Sequence, residues 1–381
     1  MLVPHPETTP QSIEAALARY QPCYRTDVAA CAAISPRIAQ LALTHPFLLL
    51  AIATAYGSRQ CRRRAVELVA GGAPLHEACT ATGIPMCFRR IPPEGCVCPP
   101  VAVMWSAEAN RALAPLIPKQ PTVAARWLAG ICFAHAASDE TFAIWLARAR
   151  RLFEDQPPTH AHLLPLALYA WCSRFLPYDV EWCISPSWTP ILGLPAAIMR
   201  AASFIGHIDF VSQFGRAAVR DAWIAEQEVT GYRFVPLLTP SDLVREAKAM
   251  SNCVMSYSYA IASDECRLFS MQRGGERVAT IEIRPTPDGR WFAIRQIKGP
   301  MNADCPIEYV EVAHGWLEAT RFQRGTRTDI SVRDDPSLGR LAEMIELWRT
   351  SRAVPLPGVS TDIEALQAGM ADLSASLLRR P

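Results

Sequence analysis

LLTPSDLVREAKAMSNCVMSY (237–257), CRLFSMQRGGERVATIEI (266–283) and WFAIRQIKGPMN (291–302) are the three runs on which the fold turns. Thr239 suits a helix N-cap, Pro240 the first helical position, and Asp242 a first turn that favours acids. Leu243, Ala247 and Met250 then form an apolar stripe at helical spacing. The next two runs read as three strands. Gly274-Gly275 is a two-residue hairpin turn between 266–273 and 276–284, and Asp288-Gly289 marks the turn before 291–298.

With tight turns at both places, Arg267 faces Glu282, Met271 faces Val278, Glu282 faces Phe292 and Thr280 faces Ile294. One face of the meander then carries Arg267, Phe269, Met271, Val278, Thr280, Glu282, Phe292, Ile294 and Gln296. The other carries Leu268, Ala279, Ile281, Ile283, Trp291, Ala293 and Ile297. Both are largely apolar, which predicts helices over both. A slip of one residue would exchange the faces, so the register is conditional.

Outside these runs the pattern is helical. Phe47 to Ala55 is apolar all round, as a buried helix is. Val101–Ala114, Thr122–Ala136, Ser138–Phe153, His160–Phe175, Ala196–Phe204 and Asp209–Glu228 read as further helices, and Gly231 closes this part. Pro306 opens another helix, Asp329–Val332 reads as one short strand, and 338–352 and 362–378 are helical. The expected class is α+β: an all-helical array over 1–230, a helix plus three-stranded antiparallel meander over 231–320, and a helical tail over 321–381.

Composition narrows the function classes. Half the 381 residues are hydrophobic, enough for a sizeable core, and a net charge of +2 leaves no electrostatic footprint of a dedicated nucleic-acid binder. No basic segment followed by an apolar run opens the chain, and 46–56 is too short to span a bilayer. The expectation is a cytoplasmic protein with no membrane association, its 13 cysteines reduced. The triple Arg62-Arg63-Arg64 reads as a solvated helix face. Cys87, Cys96 and Cys98 cluster among prolines, but Cys-x-Cys with no second pair is not zinc spacing, so neither a metal nor a cofactor is expected.

The runs EAKAMSNCVMSY, VATIEI and IRQIKGPMN, in that order, resemble the PcfJ-like proteins over about Thr239 to Trp316. That family's pattern is Glu-Gly, a Met three residues on, His-Cys-Val, a Tyr, a Thr-Ile-Glu strand and a Gln-x-x-Gly-x-x-Asn turn. Ala247 replaces its Gly, and Asn252 replaces the His that often precedes its Cys. The resemblance implies a bacterial plasmid or mobile element, a link to conjugation or element maintenance, and nucleic acid or another mobile-element protein as partner. It implies no known reaction.

The residues themselves offer Cys253 and Glu282 as candidate catalytic groups, and Tyr257, Gln296, Lys298 and Asn302 as candidate substrate-binding groups. A thiol nucleophile needs a base or a positive environment. Asn252 takes up no proton, and His207 and His314 are the only histidines near in sequence. Every candidate but Lys298 also has a structural alternative: a packed thiol, an Arg267–Glu282 pair, a packed Tyr257, an Asn302 that caps a turn or the following helix, a backbone-bonded Gln296. Arg273, Arg277, Arg284, Arg290, Arg295 and Lys298 would be the phosphate contacts of a nucleic-acid reading. Residues 228–320 nevertheless hold ten Lys or Arg against twelve Asp or Glu. Enzyme, nucleic-acid partner and protein-interaction module all stay open, as does the oligomeric state.

Overall fold

A computed structural model of the chain describes residues 9–54, 56–97, 102–154, 158–175, 181–184, 186–214, 222–322, 336–352 and 362–378. Cys98 and Asp329–Val332 lie outside them. The chain divides into two compact units. One comprises Met1–Phe175, Pro186–Ala202 and Glu346–Pro381; the other comprises Leu176–Ser185 and Ser203–Ile345.

The first unit is helical. Prolines open several helices, since a first-turn position needs no N–H: Pro46 starts Pro46–Ala53 and Pro121 starts Pro121–Ala137. Phe47, Phe88, Trp127 and Phe142 are buried in its core. Arg63 and Arg64 of the triple arginine reach Glu67 on the same helix, at 3.0 and 3.8 Å. Pro165 sits inside His160–Phe175, so the Ala161 carbonyl one turn back lacks its helical donor. Gly369 of the Ile363–Leu378 helix lies against that carbonyl so closely that a Cβ there would be 2.4 Å from it. The helix docks through buried Leu366, Met370 and Leu373.

The helix Leu194–Phe214 holds an 18-residue window, Leu194–Val211, long and apolar enough by length and composition to cross a membrane. A core helix passes the same test, and Ala197, Ala201, Ile205 and Ile208 along it are buried within the protein.

The second unit is α+β, with one antiparallel sheet in sequence order: β1 (Gln227–Val229), β2 (Tyr232–Pro236), β3 (Arg267–Arg273), β4 (Glu276–Pro285) and β5 (Phe292–Lys298). The three-stranded expectation is therefore corrected to five. Glu228, read as helical, lies in β1, and Gly231 is a hairpin turn residue rather than the end of a helical region. Thr230 and Gly231 both have positive φ, at 51° and 77°, the requirement of a two-residue hairpin turn. Tyr232 and Phe234 then point inward on either side of exposed Arg233.

The register is corrected as well. Gly274-Gly275 joins Arg273 to Glu276 as expected, but a bulge between Met271 and Gln272 leaves Val278 unpaired, so Met271 faces Ala279 and Leu268 faces Glu282. The next loop is longer than a tight turn. Pro285 pairs with Phe292, and a second irregularity beside Glu282 pairs Glu282 with Gln296 and Thr280 with Lys298. These shifts place Phe269, Met271, Ala279, Ile281 and Ile283 in one core with Phe234 and Trp316. Trp316, from Ile307–Phe322, stacks on Phe234 with centroids 4.4 Å apart. Across the sheet, Leu268 joins Leu243, Val254 and Ile261 in a second core beneath Pro240–Met250. That helix opens on the capping box of Thr239 and Asp242.

Candidate functional site

Thr280, Glu282, Gln296 and Lys298 share the face that the Pro240–Met250 helix covers only in part. Strand pairing sets them in two cross-strand rows, Leu268–Glu282–Gln296 and Ser270–Thr280–Lys298. The irregularity next to Glu282 makes this possible, because one extra residue on β5 brings Gln296 opposite Glu282. The helix ends at Ser251, whose φ of 49° is left-handed. The chain then turns through Asn252 and Cys253 into the short helices Val254–Tyr257 and Ser258–Ala262. After β5, the Pro300–Asn302 turn closes the other side, with Met301 and Asn302 also left-handed at φ 56° and 59°.

The result is one open cleft of about 340 Å³, mouth included, lined by Cys253, Tyr257, Glu282, Gln296, Lys298 and Asn302. All six candidates from the sequence meet there. Asn252 and Thr280 line it too.

The contacts inside are polar and specific. The Asn302 Nδ2 amide donates toward the exposed Cys253 Sγ at 3.9 Å. The Tyr257 hydroxyl donates to Gln296 Oε1 at 3.1 Å. Burial, and then the neighbouring Glu282 carboxylate, push the Tyr257 hydroxyl above its ordinary pKa. Glu282 is nearly buried and accepts from Arg284 Nε at 2.6 Å. The Arg267–Glu282 pair of the sequence reading is therefore absent. Arg267 turns away, donates to the Ile261 and Cys266 carbonyls at 3.1 and 2.9 Å, and lies 4.5 Å over Trp223. Lys298 Nζ donates to Asp304 at 2.7 Å, and that contact holds the Asp304 carboxyl below its usual range.

Neither histidine lines the cleft. His207 Nδ1 is 3.0 Å from the Cys183 carbonyl, and burial lowers its pKa. His314 is exposed on the helix that packs the opposite face. Among the cysteines of the first unit, Cys96 donates its thiol to the Pro92 carbonyl at 3.4 Å. Among the described residues, no group of three His, Cys, Asp or Glu is placed to hold a metal ion.

The sequence reading missed the layer behind the cleft. Glu246 is fully buried, and its carboxylate accepts from Thr280 Oγ1 at 2.6 Å and from Arg277 Nε at 2.8 Å. A signal was present: Glu246 sits three residues after Leu243 and four before Met250, on the apolar stripe. An acid at such a position must be paired.

The model of the PcfJ-like protein family matches residues 215–312. This region of the chain is PcfJ-like. Every residue lining the cleft falls within the matched PcfJ-like segment, so the cleft belongs to the part of the chain that the family shares. Among curated proteins and solved structures, nothing matches the chain.

Left-handed backbone is costly for residues with a Cβ, and here it flanks the thiol on both sides. Ser251→Gly is expected to raise the unfolding free energy by about 1 kcal/mol, since glycine accepts a left-handed helix terminus without that cost. Urea denaturation of the two proteins measures it; an unchanged or lower midpoint would show that Ser251 carries no strain.

Proposed function

We propose that the chain serves a bacterial plasmid or other mobile element, in conjugation or element maintenance, and that it acts there as a thiol enzyme. The mobile-element part follows from the PcfJ-like resemblance. The chemical part rests on one observation: an exposed thiol shares a single cleft with a nearly buried carboxylate, a phenol, three side-chain amides and a lysine. Hydrogen-bonding groups converging around a nucleophile are what such sites need.

In this reading Cys253 Sγ adds to the carbonyl carbon of a small polar substrate, the S–C bond forming as the C=O π pair moves onto the oxygen. The Asn302 amide donates toward the sulfur, while Glu282, Gln296 and Lys298 orient the substrate through hydrogen bonds. With no histidine in the cleft, the thiol proton passes to water before attack. The nucleic-acid reading finds less support. Arg273, Arg277, Arg284, Arg290 and Lys298 each pair with a carboxylate, on Glu308, Glu246, Glu282, Asp288 and Asp304 respectively. Base and phosphate contacts would have to compete with those pairs.

Cys253→Ser replaces an exposed sulfur by oxygen, so the melting curve should move by no more than about 0.5 kcal/mol of stability. The element-borne phenotype, read as transfer or maintenance frequency in cells carrying the variant, should disappear. Loss of stability in step with the phenotype, or an unchanged phenotype, would sink the catalytic role.

A further inference from the structure

We infer that Glu246 is a positioning residue for the cleft: through Thr280 it fixes which way the Asn252 amide points, and with it the backbone that follows Cys253. The inference rests on the thiol reading above and deepens it.

The argument is one of donors and acceptors. An ionised carboxylate only accepts. Burial raises the Glu246 carboxyl above its ordinary range, and Arg277 Nε, a cation donating to one of its oxygens at 2.8 Å, counters that by favouring the ionised form. The other oxygen receives the Thr280 hydroxyl at 2.6 Å. Thr280 has a single hydrogen to give, and it is spent on Glu246. Toward Asn252 its oxygen therefore only accepts, and the group 2.9 Å away must be the Asn252 Nδ2 amine. With the nitrogen committed to the sheet, the Asn252 oxygen is left to face the Val254 N–H, at 3.3 Å.

Side-chain amides are ambiguous in isolation because oxygen and nitrogen have nearly the same shape. Here the ambiguity is removed by a carboxylate two bonds along the chain of contacts. The reach is structural as well: the network joins the Pro240–Met250 helix, β4 and the turn that carries the thiol. Cys253 lies between Asn252, anchored to the sheet, and Val254, held by the same amide. The position where the PcfJ-like pattern often has histidine is filled by a side chain whose job is to hold the backbone on both sides of the sulfur.

Placement of a nucleophile by this kind of network shows in its rate, and displacement of a reacting group by an ångström is costly. The test is alkylation of the full chain by iodoacetamide, with mass spectrometry following Cys253 and Cys23 together. These are the two exposed thiols among the described residues, and Cys23 serves as internal reference. In the unaltered protein Cys253 should react faster than Cys23. Thr280→Val keeps the shape and removes the hydroxyl, and should slow Cys253 relative to Cys23 by on the order of tenfold. Thr280→Ser should restore the rate. Glu246→Gln, which lets the polarity of the chain reverse, should slow it likewise, and it carries the test should Thr280→Val fail to fold. A Cys253 no faster than Cys23 in the unaltered protein overturns the thiol reading and this role together. A fast Cys253 that stays equally fast, or quickens, in Thr280→Val or Glu246→Gln overturns the positioning role alone.

Discussion

Trp316→Ala is expected to cost about 3–5 kcal/mol, the range for emptying an aromatic site in a core. Trp316 is fully buried, stacked on Phe234 at 4.4 Å and tilted against Phe269 at 5.0 Å. With Ala313 and Leu317 it packs the Ile307–Phe322 helix on the sheet face opposite the cleft. A typical domain has only about 5–15 kcal/mol to lose, so the variant should forfeit a large share of the second unit's stability and melt well below the unaltered protein. Trp316→Phe should behave very differently. The indole N–H has no acceptor among the described residues, so removing it forfeits no hydrogen bond, and phenylalanine keeps most of the ring. A cost of roughly 1 kcal/mol is expected. Calorimetric melting of the three proteins decides the matter; equal losses in the two variants would mean that the helix is not held by this stack.

The second large effect is set by acid. His45 is fully buried and caps the Pro46–Ala53 helix, its Nδ1 accepting from the Leu48 N–H at 3.2 Å. Burial foremost, and then the nearby Arg89 cation, lower its pKa from 6.5 to about 4. In the unfolded chain the imidazole titrates at its ordinary value. Between pH 6.5 and 4 the unfolded state therefore binds the extra proton and is favoured. The contribution is fully present above that window and is lost as pH falls through it, to a total of about 3 kcal/mol. Amide protection over residues 46–53, with exchange corrected for its intrinsic pH dependence and followed by mass spectrometry, should fall steeply as pH drops through this window in the unaltered protein. His45→Asn keeps a capping acceptor without a titrating ring, and its protection should vary much less with pH. Parallel profiles for the two would show that His45 does not control the acid response.

Some of this was readable from the residues alone, and the reason is locality. The 240–250 helix announces itself through Thr239, Pro240 and Asp242, all within one turn, and its capping box forms as those residues require. Gly274-Gly275 fixes its hairpin for the same reason. The six polar residues picked out by type and position line one cleft, because strand alternation puts 280 with 282 and 296 with 298 on whichever face they share. The bulges were not legible. One extra residue at Val278, and another on β5 beside Glu282, answer to how the two cores pack and leave no mark in local sequence. They decide that Glu282 meets Gln296 and Arg284 rather than Arg267. β1 and β2 escaped because their turn asks a threonine to adopt a glycine-like backbone.

The seating of Gly369 on the Ala161 carbonyl has a consequence for how the protein is made. Residues 203–345 of the second unit are complete in sequence before the helix that covers Ala161 has been synthesised. Domains fold as units while the chain emerges from the ribosome. The PcfJ-like part can therefore close around its cleft while the helical unit still waits, its 160–175 helix uncovered, for the last stretch of the chain to arrive. A messenger RNA truncated after that part would release a finished sheet joined to an unfinished helical unit, one that exposes the apolar surface meant for Leu366, Met370 and Leu373 and is a substrate for chaperones and proteases.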